Sequence, residues 1–518
     1  MRECGILMPV SSLPGPGGIG TFGREAYRFV DFLARAGQQI WQILPLSPTG
    51  YGDSPYQSCS AFAGNPYFID LETLTEQGLL APADWKRLDW GGDAEQADYA
   101  KIYAHRFSVL RKAYAAFRKK CEKNGFGYYP PDDYYAFTLK NKAWLPDYAL
   151  YMALKTENGM HSWEQWPEQY RGRDAAALAA FGAAHAQEVD FWVFLQYECD
   201  LQWNALKAYA NQKGVRIFGD MPIYVAADSA DAWTGGALFE RDAEGRFSRV
   251  AGCPPDFFSD DGQLWGNPVY DWAYHKKTGY AWWVQRMRRA LELYDLIRID
   301  HFRGFDTYWA IPAGSTTARV GVWEQGPGMA LFEALGKALG KPLPIIAEDL
   351  GELFDSVRAL LAASGYPGMK ILQFGFGGGE EYLPYAYSRN CVVYPGTHDN
   401  APLAEWWEHG ASRLEKANAA RYLRLPAGAD TAAACDALLG AVLSSVADRA
   451  IVPMYDWLGL GAKARLNTPG VLGGNWAWRA AKGFDGAKLA DAIREECTAY
   501  GRVRSAKTDE KTEKSAAL

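Results

Sequence analysis

Apolar and polar positions along the chain fall into two alternating patterns. Short continuous apolar runs recur eight times: "CGILMPV" (4–10), "IWQILPL" (40–46), "VRIFGDMPI" (215–223), "LIRID" (296–300), "LPIIAED" (343–349), "MKILQFGF" (369–376), "CVVYPGTHD" (391–399) and "AIVPMYDWL" (450–458). Runs this short and this apolar are what buried parallel strands require. Between them lie stretches of helical period. In "GREAYRFVDFLARAG" (23–37), Ala26, Phe29, Val30, Leu33 and Ala34 share one stripe, and "LFDSVRALLAASG" (353–365) ends in a glycine suited to stop a helix. Strand and helix in eightfold alternation predict an α/β chain folded as a (β/α)8 barrel. An open doubly wound sheet is the competitor, and the count of eight favours the barrel.

A barrel of this kind needs only about 250 residues, whereas the chain has 518. Roughly half must therefore be insertion. The largest insertion runs from about 51 to 188 and reads as mainly helical and aromatic, as in "AEQADYAKIYAHRFSVLRKAYAAFRKK" (94–120). A second, about 225–275, is rich in Gly, Pro, Asp and Trp and reads as loop. The expected organisation is one catalytic barrel over 1–503 with no separate C-terminal β-domain, then a polar tail, 504–518, whose composition predicts disorder.

Composition narrows the partners. A net charge of −7 argues against nucleic acid or an anionic membrane surface. The apolar stretch near the N-terminus covers only Gly5 to Val10, too short for a signal-peptide core, and no later run reaches the length of a membrane span. Eight scattered cysteines without a C-x-x-C pair read as free thiols of a cytoplasmic protein, and seven histidines show no metal-ligand spacing. Neither metal nor cofactor is expected. Aromatic residues make up 14 %, including 20 tryptophans, which is mostly core and in part a platform for flat ligands such as sugar rings.

Candidate chemistry sits at the ends of the strands, where barrel enzymes carry their sites. Strand three ends at Asp220, strand four at Arg298 and Asp300, strand five at Glu348 and strand seven at His398 and Asp399. Side chains alternate along a strand, so Arg298 and Asp300 share one face. Taken alone, that pair fits a structural ion pair equally well. Four like charges at one end of successive strands do not, because they repel one another. Two carboxyls, one ionised as nucleophile and one protonated as acid, are what glycosidic bond chemistry needs. Arg298 would keep Asp300 ionised, and neighbouring negative charge with partial burial would raise Glu348. His398 and Asp399 are adjacent, so at least one must project from the loop after its strand.

Several motifs then carry a resemblance. "RIDHFRG" (298–304), "AEDLG" (347–351) and "GTHDN" (396–400) are similar to motifs of the α-amylase superfamily. "TGYGDSPYQSCSAFAGNPYFID" (49–70), "GDMPIYVA" (219–226), "CPPDFFSDDGQLWGNPVYDW" (253–272), "LGLGAKARLNTPG" (458–470) and "GGNWAWR" (473–479) narrow it to the 4-α-glucanotransferases of glycoside hydrolase family 77 (amylomaltases, or disproportionating enzymes). The resemblance covers about residues 4–500. It implies Asp300 as nucleophile, Glu348 as general acid/base and Asp399 as the carboxylate that holds sugar hydroxyls. It further implies that Arg298, His398, Asp220, Tyr51, Tyr56, Asp256, Trp265 and Asn467 bind substrate, with Asp256 and Trp265 in a loop over the donor site and Asn467 in the loop facing it. Cys59 and Cys253 stand where the family often has an aromatic or aliphatic residue, and they read as packing variants. The implied enzyme is cytoplasmic, a monomer or homodimer without cofactor. It would move segments of α-1,4-glucans and maltooligosaccharides onto glucan or glucose acceptors by a retaining double displacement.

Other motifs carry less. "GPGGIG" (15–20) matches a dinucleotide fingerprint, but Pro14 and Pro16 remove backbone donors that phosphates would use. "DFFSDDGQ" (256–263) resembles a calcium loop, but Phe258 occupies a ligand position. The pairs Trp282–Trp283 and Trp406–Trp407 read as core. The rival functions are a glucan hydrolase of the same superfamily, a glucan-binding protein without activity and a nicotinamide-dependent enzyme.

Overall fold

To within one residue, each of the eight apolar runs holds a strand. These are β1 (Glu3–Leu7), β2 (Ile40–Gln42), β3 (Arg216–Met221), β4 (Leu296–Ile299), β5 (Ile345–Ala347), β6 (Gly368–Ile371), β7 (Cys391–Tyr394) and β8 (Arg449–Pro453). The computed structural model describes residues 2–123, 127–255, 260–351 and 353–503. All eight strands are parallel, in the order β5-β4-β3-β2-β1-β8-β7-β6, so chain neighbours are also sheet neighbours and β1 pairs with β8.

The β5–β6 seam that completes the circle is not a regular ladder. The Ala347 amide donates to the Pro367 carbonyl at 2.9 Å, and the Asp349 carboxyl accepts from the Met369 amide at 2.6 Å. A Cβ on Gly368 would lie 2.5 Å from that carboxyl, so only glycine leaves room for it. Burial pushes Asp349 up to about 6.

Helices follow seven of the strands: α1 (Arg24–Arg35), α2 (Ala186–Gln212), α3 (Ala281–Leu293), α4 (Met329–Leu339), α5 (Asp355–Ser364), α6 (Thr431–Ser444) and α7 (Ala487–Ala499). On α1 the buried stripe is Ala26, Phe29, Val30, Phe32 and Leu33. Ala34 is only partly buried against the core, while Phe32 is buried with its ring centre 6.4 Å from that of Phe484. The α5 helix stops at Gly365, whose φ of +69° is the left-handed C-cap that glycine adopts without strain.

Two sequence expectations change. No α-helix joins β6 to β7. The glycines and Pro384 of "GFGGGEEYLPY" break helical continuity, leaving short 3-10 turns at Leu372–Gly377, Glu380–Tyr382 and Pro384–Ala386. The second insertion is not loop throughout. Arg249–Cys253 and Gln263–Pro268 form a hairpin that pairs with Thr307–Pro312, which pairs in turn with Val322–Gln325. This four-stranded antiparallel sheet joins the 225–275 segment to the connection after β4.

The first insertion is helical, with Tyr99–Cys121, Asp132–Lys140, Leu145–Glu157 and Ala175–Ala184 as its longer helices. It shares the N-terminal half of α2 as packing partner, which is why α2 buries Phe191, Trp192, Phe194, Leu195 and Tyr197 there. Asp190 ties the assembly together, accepting hydrogen bonds from the hydroxyls of Tyr114 (2.7 Å), Tyr128 (2.9 Å) and Tyr134 (2.6 Å).

Candidate active site

Parallel register explains the centre of the site. Asp220 on β3 lies directly beside Arg298 on β4, and both are almost fully buried. Arg298 donates to the Asp220 carboxyl at 2.6 Å and, through its other terminal nitrogen, to Asp300 Oδ1 at 2.9 Å. One guanidinium thus pairs with two carboxyls, the arrangement that makes burying such charges tolerable. Asp300 follows the last residue of β4 and is partly open, its side chain 28 % exposed. The expectation that Arg298 and Asp300 face the same way is met.

The network continues on both sides. The Tyr56 hydroxyl donates to Asp220 at 2.8 Å and lies 2.8 Å from His398 Nε2. The two rings stack with centres 5.4 Å apart. His398 Nε2 is also 3.2 Å from Asp399 Oδ2, and the Asn467 amide donates to Asp399 Oδ1 at 2.7 Å. Asn467, Asp399, His398, Tyr56, Asp220, Arg298 and Asp300 therefore form one connected chain. Since β7 ends at Tyr394, both His398 and Asp399 lie in the loop beyond it, which frees them from strand alternation.

Glu348 follows β5, and each of its oxygens accepts a backbone N–H, from His301 at 2.7 Å and from Leu350 at 2.9 Å. The first bond links the acid directly to the residue after Asp300. His301 adopts a left-handed φ of +51°, an uncommon state for a residue with a side chain, and the Trp265 ring meets its imidazole edge-on at 4.8 Å.

Environment separates the three acids. Burial pushes Glu348 up to about 7, with Asp300 adding to the rise and Arg298 and the two amides opposing it. Burial likewise drives Asp300 up to about 6; Arg298 pulls it down, while Asp220 and Asp399 push further up. Arg298 thus favours the ionised form, moderating a rise that it does not reverse. Burial also acts upward on Asp399, but His398, the Asn467 amide and Arg298 outweigh it and hold this carboxyl well below its usual range. His301 is lowered to about 3 by burial and by Arg303 and Arg298, so its ring is neutral.

Of the expected substrate residues, Tyr56, Asp220, Arg298, His398 and Asn467 meet in this network. Trp265 stands in the strand Gln263–Pro268 rather than in a loop, facing His301. Asp256 lies outside the described residues, as does the side chain of Tyr51. Sequence reasoning left two residues without a role. His301 is one. The other is Trp476, whose ring packs at 5.7 Å on Tyr56 and 6.0 Å on His398. Both fall inside quoted motifs, "RIDHFRG" and "GGNWAWR", which was the available signal. Among the described residues no group of His, Cys, Asp and Glu is placed to hold a metal ion, and no helix is long and apolar enough to cross a membrane.

An eight-stranded barrel with carboxyls of opposed acidity at its strand ends has the equipment of enzymes that break and remake glycosidic bonds. Comparison with known proteins resolves the class. The chain belongs to the 4-alpha-glucanotransferase family, whose model matches residues 8–484. It is 45 % identical over 498 residues to the 4-alpha-glucanotransferase of Clostridium butyricum, covering 96 % of this chain and 100 % of that one. With the 4-alpha-glucanotransferase of Streptococcus pneumoniae it shares 46 % identity over 505 residues, covering 97 % and 98 %. Among solved structures, an amylomaltase from Streptococcus agalactiae in complex with acarbose superposes with a TM-score of 0.92 at 41 % identity, covering 97 % of this chain and 100 % of that one. The protein is a glucanotransferase acting on α-1,4-glucans.

Proposed function

We propose that this transfer proceeds by a retaining double displacement with Asp300 as nucleophile. Asp300 attacks the anomeric carbon of the donor while Glu348, as the carboxylic acid, gives its proton to the departing glycosidic oxygen. Glu348, now a carboxylate, takes the proton from the acceptor 4-hydroxyl as that oxygen displaces Asp300 and restores the configuration. Asp399, kept ionised and aimed by His398 and Asn467, accepts hydrogen bonds from sugar hydroxyls at the cleavage point. Arg298, Tyr56 and Asp220 complete the wall around that sugar. The observation that carries this reading is the gathering of three acids at one mouth: Glu348 and Asp300 raised by burial, Asp300 tethered to an arginine, and Asp399 depressed.

Donors and acceptors would be maltooligosaccharides, with glucose as the smallest acceptor. Tyr51 would bind glucan, Asp256 and Trp265 would cover the donor, and the segments around 250–270 and 460–470 would exclude water while an acceptor settles. The catalytic unit would take in 1–503, with the insertions at about 51–188 and 225–275 framing the cleft. Eight cysteines, none in a disulfide, suit a reducing compartment, and we propose the cytoplasm.

Incubation with pure maltotriose tests the reading. Glucose and a ladder of longer oligosaccharides should appear while the reducing-end count stays constant. A rising count with only shorter products would instead identify a hydrolase. A pH profile tests the roles of the two carboxyls. Asp300 works ionised, so kcat/KM should be lost as pH falls through about 6, and Glu348 first works protonated, so kcat/KM should be lost as pH rises through about 7. A plateau extending to pH 9 would remove Glu348 from the role of acid.

A further inference from the structure

We propose that Arg465, clamped to Glu405, is a positioning residue that holds Asn467 against Asp399. The inference rests on the reading of Asp399 as the sugar-holding carboxylate. Arg465 donates through Nη1 to Glu405 Oε1 at 3.1 Å and through Nε to the backbone carbonyl of Asn467 at 3.1 Å. Its planar fork thereby fixes the carbonyl of the residue whose amide reaches Asp399, and ties it to a neighbouring element.

The geometry of that tie is specific. Glu405 and Asp399 belong to one segment, the connection that leaves β7. Arg465 and Asn467 belong to another, the loop after β8. Two links therefore run side by side between the same two segments, Arg465 to Glu405 and Asn467 to Asp399. The first sets the spacing across which the second must form.

Glu405 is itself held. It closes the short helix Leu403–Glu405, whose first amide donates to the buried Asp456 carboxyl at 2.8 Å, and Asp456 stands just after β8. On the loop side, Leu466 is buried and its carbonyl accepts from the Trp476 amide. The clamp thus joins two anchored bases, and Asn467, only partly buried, is the member it orients. Both clamp residues are mostly shielded, with side chains 28 % and 16 % exposed, so solvent screening weakens the pair less than it would on an open surface.

A double-mutant cycle on maltotriose transfer tests the proposal. Arg465→Met and Asn467→Ala should each lower kcat/KM by about tenfold, the scale of a lost hydrogen bond to a charged group. The double variant should be no slower than Asn467→Ala alone, because Arg465 acts through that residue. Arg465→Lys, which can still pair with Glu405 but offers a single nitrogen, should recover about threefold over Arg465→Met. Thermal melts accompany each variant. If Arg465→Met does not fold, Glu405→Gln, which keeps shape and loses charge, takes its place in the cycle with the same expected non-additivity. Losses that multiply in the double variant would overturn the proposal while leaving the site reading intact. Asp399→Asn at near full activity would overturn the site reading and the proposal with it.

Discussion

Replacing Asp300 by asparagine should leave no more than about one ten-thousandth of the transfer rate, the usual cost of deleting a covalent nucleophile. The substitution is close to isosteric. Asparagine can turn its carbonyl oxygen toward Arg298 and keep the 2.9 Å hydrogen bond that Asp300 Oδ1 accepts. What disappears is the negative charge that must bond to the anomeric carbon. Loss of that charge also relieves repulsion from Asp220 and Asp399, the two groups that push Asp300 upward. Stability should therefore hold or rise while activity collapses, the exchange expected where a site is assembled at the expense of the fold. Initial rates of glucose release from maltotriose and a thermal melt on the same preparation check both halves. A loss below about tenfold would move the nucleophile elsewhere.

Glu348→Gln should act more selectively. With an ordinary glucan donor, loss of the proton that Glu348 supplies should cost about a thousandfold. With a donor whose leaving group needs no proton, such as maltosyl fluoride, the first displacement should be nearly spared. The second still lacks its base, so a maltosyl-enzyme should accumulate and appear by mass spectrometry on the peptide carrying Asp300. The decline above pH 7 should vanish for that first step, because the group that titrates there is gone. Glutamine also brings a structural cost. Both oxygens of Glu348 accept backbone N–H groups, and an amide nitrogen facing one of them sets donor against donor. A stability loss of about 1–3 kcal/mol should accompany the kinetic effect. Equal slowing of both donors would remove Glu348 from proton transfer.

The barrel was legible because its strands are buried on both faces and so read as unbroken apolar runs. The acids were legible because each interrupts such a run at the same end. Asp220 and Arg298 were visible as candidates on those grounds, although their pairing depends on a register between β3 and β4 that no local pattern encodes. The antiparallel sheet was hidden for a related reason. Arg249–Cys253 finds one of its partners at Thr307–Pro312, on the far side of β4, and its strands are short, partly exposed and interrupted by glycine. The balance on Asp300 was hidden too, since Arg298 is visible two residues away while the burial that outweighs it belongs to the assembled mouth. His301 and Trp476 take left-handed backbone states, which composition alone does not reveal.

The Glu348–Asp349 pair gives the β5–β6 closure a wider meaning. One carboxyl of this dipeptide is the acid we propose for the chemistry, and the next stitches the barrel shut through the Met369 amide. Mechanical integrity and the proposed proton delivery are thus separated by a single peptide bond. A lesion at Asp349 would loosen the wall on which Glu348 is mounted and would present in an assay as a failing enzyme, although Asp349 is not among the residues proposed to meet the sugar. The two positions are mechanically coupled, since whatever re-seats the stitch also re-aims the acid.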